Sequence, residues 1–181
     1  MKLYHGSDNG DIKELKPILS NHNKPYVYLI TNKALAVMYA YNALPRPNGF
    51  FTYGFNKDGT PYYDEYFEGQ LEKLYKGKSG YLYEFESEKL NVVTLPQIKG
   101  AYVSEEVVKT NTPIFIEDIY EEMLKLEKEG LITINRYNEA SESRKLLYKK
   151  IIQNEIENKE LKENLNHPYA EFLHEHFPDL I

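Results

Sequence analysis

Two short stretches, Leu3-Tyr4-His5-Gly6-Ser7 and Tyr26-Val27-Tyr28-Leu29-Ile30-Thr31, decide how this chain is organised. The first is a short apolar run followed by a histidine and a glycine, which is typical of a strand that ends in a turn. The second is rich in β-branched and aromatic residues and therefore predicts another strand. A histidine and a tyrosine on two short strands make these stretches the best candidates for a functional site.

The residues after the second stretch predict a helix over 33–43. Thr31 or Asn32 can cap this helix, because a side-chain oxygen there accepts hydrogen bonds from the first free backbone N–H groups. Four residues then follow at helical spacing: Leu35, Met38, Tyr39 and Asn42. Tyr39 therefore lies eleven residues after Tyr28, on a helix that directly follows the strand.

Strand signals dominate the chain up to residue 116. Pro45 and Pro47 end the helix, and Asp58-Gly59 then predicts a hairpin between two aromatic segments, Phe50–Phe55 and Thr60–Phe67. A short amphipathic helix is predicted over 69–76. Further strands are predicted over 81–86, 91–95, 102–108 and 114–116. In the first of these, alternation predicts that Tyr81, Tyr83 and Phe85 share one face.

The rest of the chain is predicted to be helical. A helix over 117–129 precedes Gly130, a residue type that commonly follows the last helical turn. Residues 139–163 carry apolar side chains at helical spacing, and a last helix begins at His167-Pro168. The apolar set is Leu147, Tyr148, Ile151, Ile152 and Ile156. Because strands and helices are segregated, the fold class is α+β rather than a doubly wound parallel sheet.

We expect a core over 1–137 and a helical extension over 138–181 that packs on it, in a single domain overall. The chain has no cysteine, which excludes a disulfide framework, a thiolate zinc site and a cysteine nucleophile. His174-Glu175-His176 has the wrong spacing for a metal site on one helix face, so no metal is expected. The net charge of −6 argues against a nucleic-acid partner. The sequence shows no membrane span, and we expect a cytoplasmic protein.

The two opening stretches resemble the ADP-ribosyltransferase superfamily, the fold of poly(ADP-ribose) polymerases, diphtheria toxin and rifampin ADP-ribosyltransferases. His5-Gly6 matches the family's first strand, and Tyr28 matches the central tyrosine of its second motif. Tyr39 matches a second tyrosine of the polymerase-like branch. The resemblance implies a split, mostly antiparallel core. It also implies a mono-ADP-ribosyltransferase-like enzyme that uses NAD as co-substrate and transfers ADP-ribose to an unidentified acceptor or to water.

The same resemblance implies a role for each site residue. His5 positions a ribose, the backbone of Gly6 pairs with the carboxamide, and Tyr28 and Tyr39 sandwich the nicotinamide ring. The family's third element, a glutamate at the start of a later strand, matches Glu106, with Glu105 as its rival. The implied catalytic residues are thus Glu106, His5 and Tyr28, and the glutamate stabilises the positive charge that develops on the ribose.

Ala36 departs from the family pattern, since many polymerase-like members carry there a serine that bonds the carboxamide. Two alternatives stay open. One is an RNA 2′-phosphotransferase on the same fold, although Arg46 is the only basic residue between the helix and the hairpin. The other is a non-catalytic interaction module that uses residues 139–177. In the aromatic hairpin, Tyr53 and Tyr63 are kept as candidate cleft residues.

Overall fold

The computed structural model describes residues 1–19, 24–41, 53–96 and 98–181. The strands of these residues are β1 (Lys2–Ser7), β2 (Glu14–Leu15), β3 (Ile18–Leu19), β4 (Pro25–Ile30), β5 (Tyr53–Phe55), β6 (Pro61–Asp64), β7 (Gly80–Glu86), β8 (Val93–Thr94), β9 (Ala101–Ser104), β10 (Val108–Lys109), β11 (Ile114–Ile116) and β12 (Thr133–Asn135). The helices are α1 (Lys33–Met38), α2 (Gln70–Tyr75), α3 (Ile119–Lys128), α4 (Glu142–Asn158) and α5 (Pro168–His176).

The chain divides into two compact units, each with its own hydrophobic cluster. The first unit contains Met1–Asn42, Phe55–Pro61 and Tyr75–Thr133, and the second contains Ala43–Gly54, Tyr62–Leu74 and Ile134–Ile181. Helices and mostly antiparallel strands occur together, so the predicted α+β class is confirmed. Of the helices in the described ranges, none has the length and apolar character that crossing a bilayer requires.

The main sheet of the first unit has the strand order β11-β7-β1-β4-β9-β8, and β3 also pairs with β4. Leu3 of β1 lies opposite Phe85 of β7, and His5 lies opposite Tyr83. Leu3, Tyr83 and Phe85 belong to one buried cluster, against which Tyr81 also packs. The predicted common face of Tyr81, Tyr83 and Phe85 is therefore confirmed.

Strands β1 and β4 separate soon after they meet. In the described part of the chain their pairing is one position, Tyr4 opposite Ile30. By contrast, β1 pairs with β7 along its whole length, and β4 pairs with β9 from Val27 to Ile30. β1 thus stays paired with β7, and β4 stays paired with β9. The sheet opens between β1 and β4 beyond Tyr4, toward His5.

Helix α1 lies directly on the backbone of this sheet. A Cβ atom at Gly6 would lie 1.9 Å from the Ala36 carbonyl oxygen, and one at Gly80 would lie 2.5 Å from that of Ala40. Glycine is therefore required on the sheet at both positions. The predicted cap is Asn32, whose side chain accepts a hydrogen bond from the backbone of Leu35.

The end of α1 differs from the prediction. The helix stops at Met38 and has Tyr39 as its C-cap, whereas residues 33–43 were expected to be helical. Close packing of Ala40 on the sheet fixes this end. The spacing of apolar residues along the sequence cannot predict such a contact. Pro45, Pro47, Phe50, Phe51 and the basic Arg46 lie outside the described residues.

The predicted strand over 102–108 is in fact two strands. β9 pairs with β4 and β8, whereas β10 pairs with β2. The Ser104 side chain causes the break, since its Oγ accepts a hydrogen bond from the backbone N–H of Glu106 at 3.1 Å and bends the chain. Glu106 therefore lies between two strands instead of at the start of one.

The predicted hairpin is confirmed for its described residues. The N–H of Asn56 donates to the Thr60 carbonyl at 2.8 Å, and Gly59 has a φ of 96°. A positive φ at this turn favours glycine. Tyr63 is buried in the core, so its assignment as a candidate cleft residue was wrong. Tyr53 is half-buried and remains a candidate.

The second unit is built around the helical C-terminal part of the chain. Its buried cluster consists of Tyr66, Tyr148, Ile152, Ile156, Leu161, Tyr169 and Leu173. Tyr148, Ile152 and Ile156 follow each other at four-residue spacing on α4. Leu147 was expected to pack with them, but it is 52% exposed because it lies about 100° around the helix from Tyr148.

Candidate functional site

His5 marks the point where β1 and β4 separate. Its Nδ1 lies 3.0 Å from the carbonyl oxygen of Tyr28 on β4. A carbonyl oxygen only accepts hydrogen bonds, so Nδ1 carries the proton in this contact, and Nε2 is the acceptor in the neutral ring. Burial lowers the pKa of His5, although the hydrogen bond to Tyr28 opposes the effect. At neutral pH the imidazole is therefore uncharged and presents one nitrogen to a hydroxyl donor.

The side chains of His5 and Tyr28 leave the sheet on opposite faces. His5 shares its face with Leu3, which lies two residues before it in β1. Tyr28 alternates with Val27 and Leu29, and both of these pack in the same cluster as Leu3. The imidazole thus reaches Tyr28 through the opening between the strands, and it contacts the tyrosine's backbone.

Tyr28 and Tyr39 belong to the helix-bearing side of the sheet. Tyr28 lies opposite Val103 and packs against the small cluster that contains Val103 and Leu95. Its ring meets that of Tyr26 edge to face, with 6.0 Å between centroids. Tyr39 ends α1, donates its backbone N–H to Leu35 and keeps 43% of its surface exposed. The two tyrosines therefore provide aromatic surface on the side of the sheet that α1 covers.

Gly6 packs directly against α1. The space that its Cβ would fill is occupied by the backbone of Ala36, so the packing of α1 by itself requires glycine here. Ala36 itself is fully buried against the sheet. Its small size follows from this packing.

Glu106 is exposed and is held by neutral groups. The Asn91 side-chain amide donates to its Oε1 at 2.9 Å. The Ser104 hydroxyl bonds both backbone groups of Glu106. It accepts from the Glu106 N–H and donates to the Glu106 carbonyl oxygen at 3.2 Å. In the described part of the chain, no cation forms an ion pair with the Glu106 carboxylate. Its carboxylate is therefore held by an amide and not by an ammonium.

Glu105 is held differently although it is the adjacent residue. The Lys24 ammonium donates to its Oε1 at 3.2 Å, and the glutamate side chain is 64% exposed. This ion pair places a positive charge beside the Glu105 carboxylate. A neighbouring ammonium opposes the stabilisation of developing positive charge, so the geometry favours Glu106, which is held by an amide, over its rival.

Glu106 lines a groove of about 530 Å³ in the first unit. Of the described residues, those that line it include Lys2, Glu84, Lys89, Asn91, Lys109 and Asn111. The predicted residues His5, Gly6, Tyr28 and Tyr39 are not among them. The structure thus brings His5 and Tyr28 into contact at the sheet opening and packs Gly6 under α1, the helix that Tyr39 ends, whereas Glu106 lines a separate groove. Glu106 follows Val103, the partner of Tyr28, by three residues, which span at most about 10 Å.

Asn91 and Ser104 were missed by sequence reasoning. A serine two residues before Glu106 is a recognisable local signal, because serine hydroxyls often bond the backbone two residues on. Asn91 gives no such signal, since it lies fifteen residues away and meets Glu106 only in the folded chain.

Comparison with known proteins does not assign the chain: no family model, no curated protein and no solved structure matches it. In the described ranges, no cluster of three or more histidine, aspartate or glutamate side chains could hold a metal ion. The geometry at the opening and in the groove is therefore the evidence on which a function must rest.

Proposed function

We propose that this chain binds NAD and transfers its ADP-ribose to an acceptor or to water, as an ADP-ribosyltransferase-like enzyme. The observation that carries the proposal is the contact of His5 with Tyr28 at the opening between β1 and β4. It joins the two sequence motifs that resemble this superfamily, although 23 residues separate them.

In this proposal the nicotinamide lies on the helix-bearing side, between the rings of Tyr28 and Tyr39. The neutral His5 accepts a hydrogen bond from a ribose hydroxyl through Nε2, which suits a sugar better than a phosphate. The edge of β1 beyond Tyr4, which the described pairing leaves without β4, is the place for the carboxamide. Because Ala36 has no hydroxyl to bond the carboxamide, the carboxamide depends on contacts with the backbone.

The reaction breaks the bond between nicotinamide and C1 of the ribose. The electron pair of this bond goes to the ring nitrogen, so nicotinamide leaves as a neutral molecule without a proton donor. The ribose gains oxocarbenium character, and the carboxylate of Glu106 stabilises it. A nucleophile then bonds to C1 and gives up its proton. In this proposal Glu106 approaches the ribose from the segment between β9 and β10.

The test is incubation of the full chain with NAD, with nicotinamide release followed by chromatography and binding by calorimetry. We expect binding and release. NADH is the matched control ligand, because its reduced ring is not a cationic leaving group and should not be released. A chain that neither binds NAD nor releases nicotinamide would contradict the proposal.

A further inference from the structure

The contact between Asn91 and Glu106 is the most specific feature of the groove. The Asn91 amide donates to Oε1 at 2.9 Å, and in the described residues Oε2 accepts no hydrogen bond. One oxygen is therefore fixed, and the residue that carries it lines a groove of about 530 Å³.

Asn91 does not lie in a loose segment. It directly follows Leu90, whose N–H donates to the Ser87 carbonyl at 3.1 Å. Leu90 and Val92, its two neighbours in sequence, both pack against the buried cluster of the first unit. The amide is thus held in position by residues on both sides.

The chemistry of the donor matters as much as its position. Lys2 forms an ion pair with Glu84 at 2.9 Å in the same groove, and Lys24 forms one with Glu105 at 3.2 Å. An amide orients a carboxylate without placing a positive charge beside it, whereas an ammonium does both. Of these three glutamates, Glu106 is the one that an amide orients.

We propose that Asn91 is a positioning residue that fixes the Glu106 carboxylate through Oε1 and directs Oε2 toward the ribose. This inference rests on the proposed function, since it assigns a partner to the carboxylate of that reaction. Asn91 itself touches neither NAD nor the acceptor.

The first test is Asn91→Ala. Loss of one hydrogen bond to a charged group should lower kcat for nicotinamide release about tenfold, with KM for NAD unchanged. Asn111→Ala is the matched control, because Asn111 lines the same groove but donates to the backbone carbonyl of Glu84. Its kcat should equal that of the wild type.

A double variant separates positioning from general damage. If Asn91 acts through Glu106, Asn91→Ala should have no further effect in a Glu106→Gln background. Equal losses in both backgrounds, or a wild-type kcat in Asn91→Ala, would overturn the inference while leaving the proposed function intact.

A second measurement does not depend on activity. The side-chain NH₂ signals of Asn91 in an ¹⁵N-correlated NMR spectrum should move in Glu106→Ala and stay in place in Glu105→Ala. Unmoved signals in both would show that the contact does not form. If the wild type releases no nicotinamide, the proposed function fails and the positioning role is overturned with it, while the NMR signals still report on the contact.

Discussion

Two carboxylates of the second unit and Glu106 of the first unit are bonded in opposite ways. In the second unit, the Asp64 carboxylate, 8% exposed, accepts from Asn135 at 2.7 Å and twice from Arg144 at 3.0 Å. Glu65, 5% exposed, accepts from the backbone N–H groups of Leu71 and Tyr137. In the first unit, Glu106 is exposed and accepts from one amide.

The difference separates structural carboxylates from a candidate catalytic one. A buried carboxylate needs hydrogen-bond donors to compensate for lost hydration, and both oxygens of Asp64 and of Glu65 are held by such donors inside the fold. A carboxylate with one fixed oxygen and one open oxygen contributes little to folding but can act on a substrate. Substitutions in the two groups should therefore affect different properties.

The largest expected effect is on activity, from Glu106→Gln. This change keeps the shape of the side chain and removes its charge, so nicotinamide release should fall about 10²- to 10³-fold, the usual loss for one electrostatic stabiliser. NAD affinity and the melting temperature should stay near those of the wild type. Glu105→Gln is the matched control and should be fully active. The reverse pattern would assign the role to Glu105.

The next effect is on stability, from Glu65→Gln. The amide NH₂ would face one of two backbone N–H groups that now donate to the carboxylate, so a buried donor loses its acceptor. We expect a loss of about 2–3 kcal/mol in the free energy of unfolding, measured by chemical denaturation. The same change at Glu106 should leave this free energy unaltered. Equal losses of unfolding free energy at Glu65 and Glu106 would contradict the distinction between structural and catalytic carboxylates.

A smaller loss of stability is expected from Arg144→Ala. This variant removes two of the described hydrogen bonds to Asp64 and the one to the hydroxyl of Tyr148. Because the arginine side chain is 44% exposed, water can replace part of the interaction, and we expect about 2 kcal/mol. Asn135→Ala should give a similar loss at the same carboxylate. A wild-type unfolding curve for both variants would show that Asp64 does not need its donors.

The smallest effect is the pH dependence that His176 adds to the second unit. Its ring stacks on Phe67 with 4.2 Å between centroids, Lys73 lies over the same phenyl ring, and the Glu175 carboxylate is 3.6 Å away. Burial lowers the pKa of His176 below 6.5. The folded state therefore prefers the neutral ring, and its contribution to stability is complete above pH 6.5 and is lost as the pH falls toward the lowered pKa.

This pH effect is measured by denaturation of the full chain at about pH 7.5 and about pH 5.5, on either side of the ordinary histidine pKa. His176→Gln should reduce the difference in unfolding free energy between the two conditions. His174→Gln, a change at an exposed histidine of the same helix, should leave the difference as it is. A larger difference in His176→Gln would contradict the sign given above.

Much of the fold was predicted from signals between residues that are close in sequence. The strand at Tyr26–Ile30, the cap at Asn32 and the turn at Gly59 depend on neighbours in sequence, and all three are confirmed. The common face of Tyr81, Tyr83 and Phe85 follows from strand alternation alone. These features need no knowledge of distant residues, which is why a single sequence contains them.

Features that depend on distant contacts could not be predicted. The end of α1 is set by packing of Ala40 on Gly80, which lies forty positions further along the chain. Exposure of Leu147 depends on which side of α4 meets the cluster. Among the site residues, neither the contact of His5 with the Tyr28 carbonyl nor Asn91 as the partner of Glu106 was predicted.

A structure of the full chain with bound NAD tests the central claim most directly. We expect the nicotinamide ring within about 4 Å of the rings of Tyr28 and Tyr39, the usual distance of a van der Waals contact. A ribose hydroxyl should donate to Nε2 of His5. Nicotinamide bound away from the opening between β1 and β4, or no NAD in crystals soaked at saturating concentration, would contradict it.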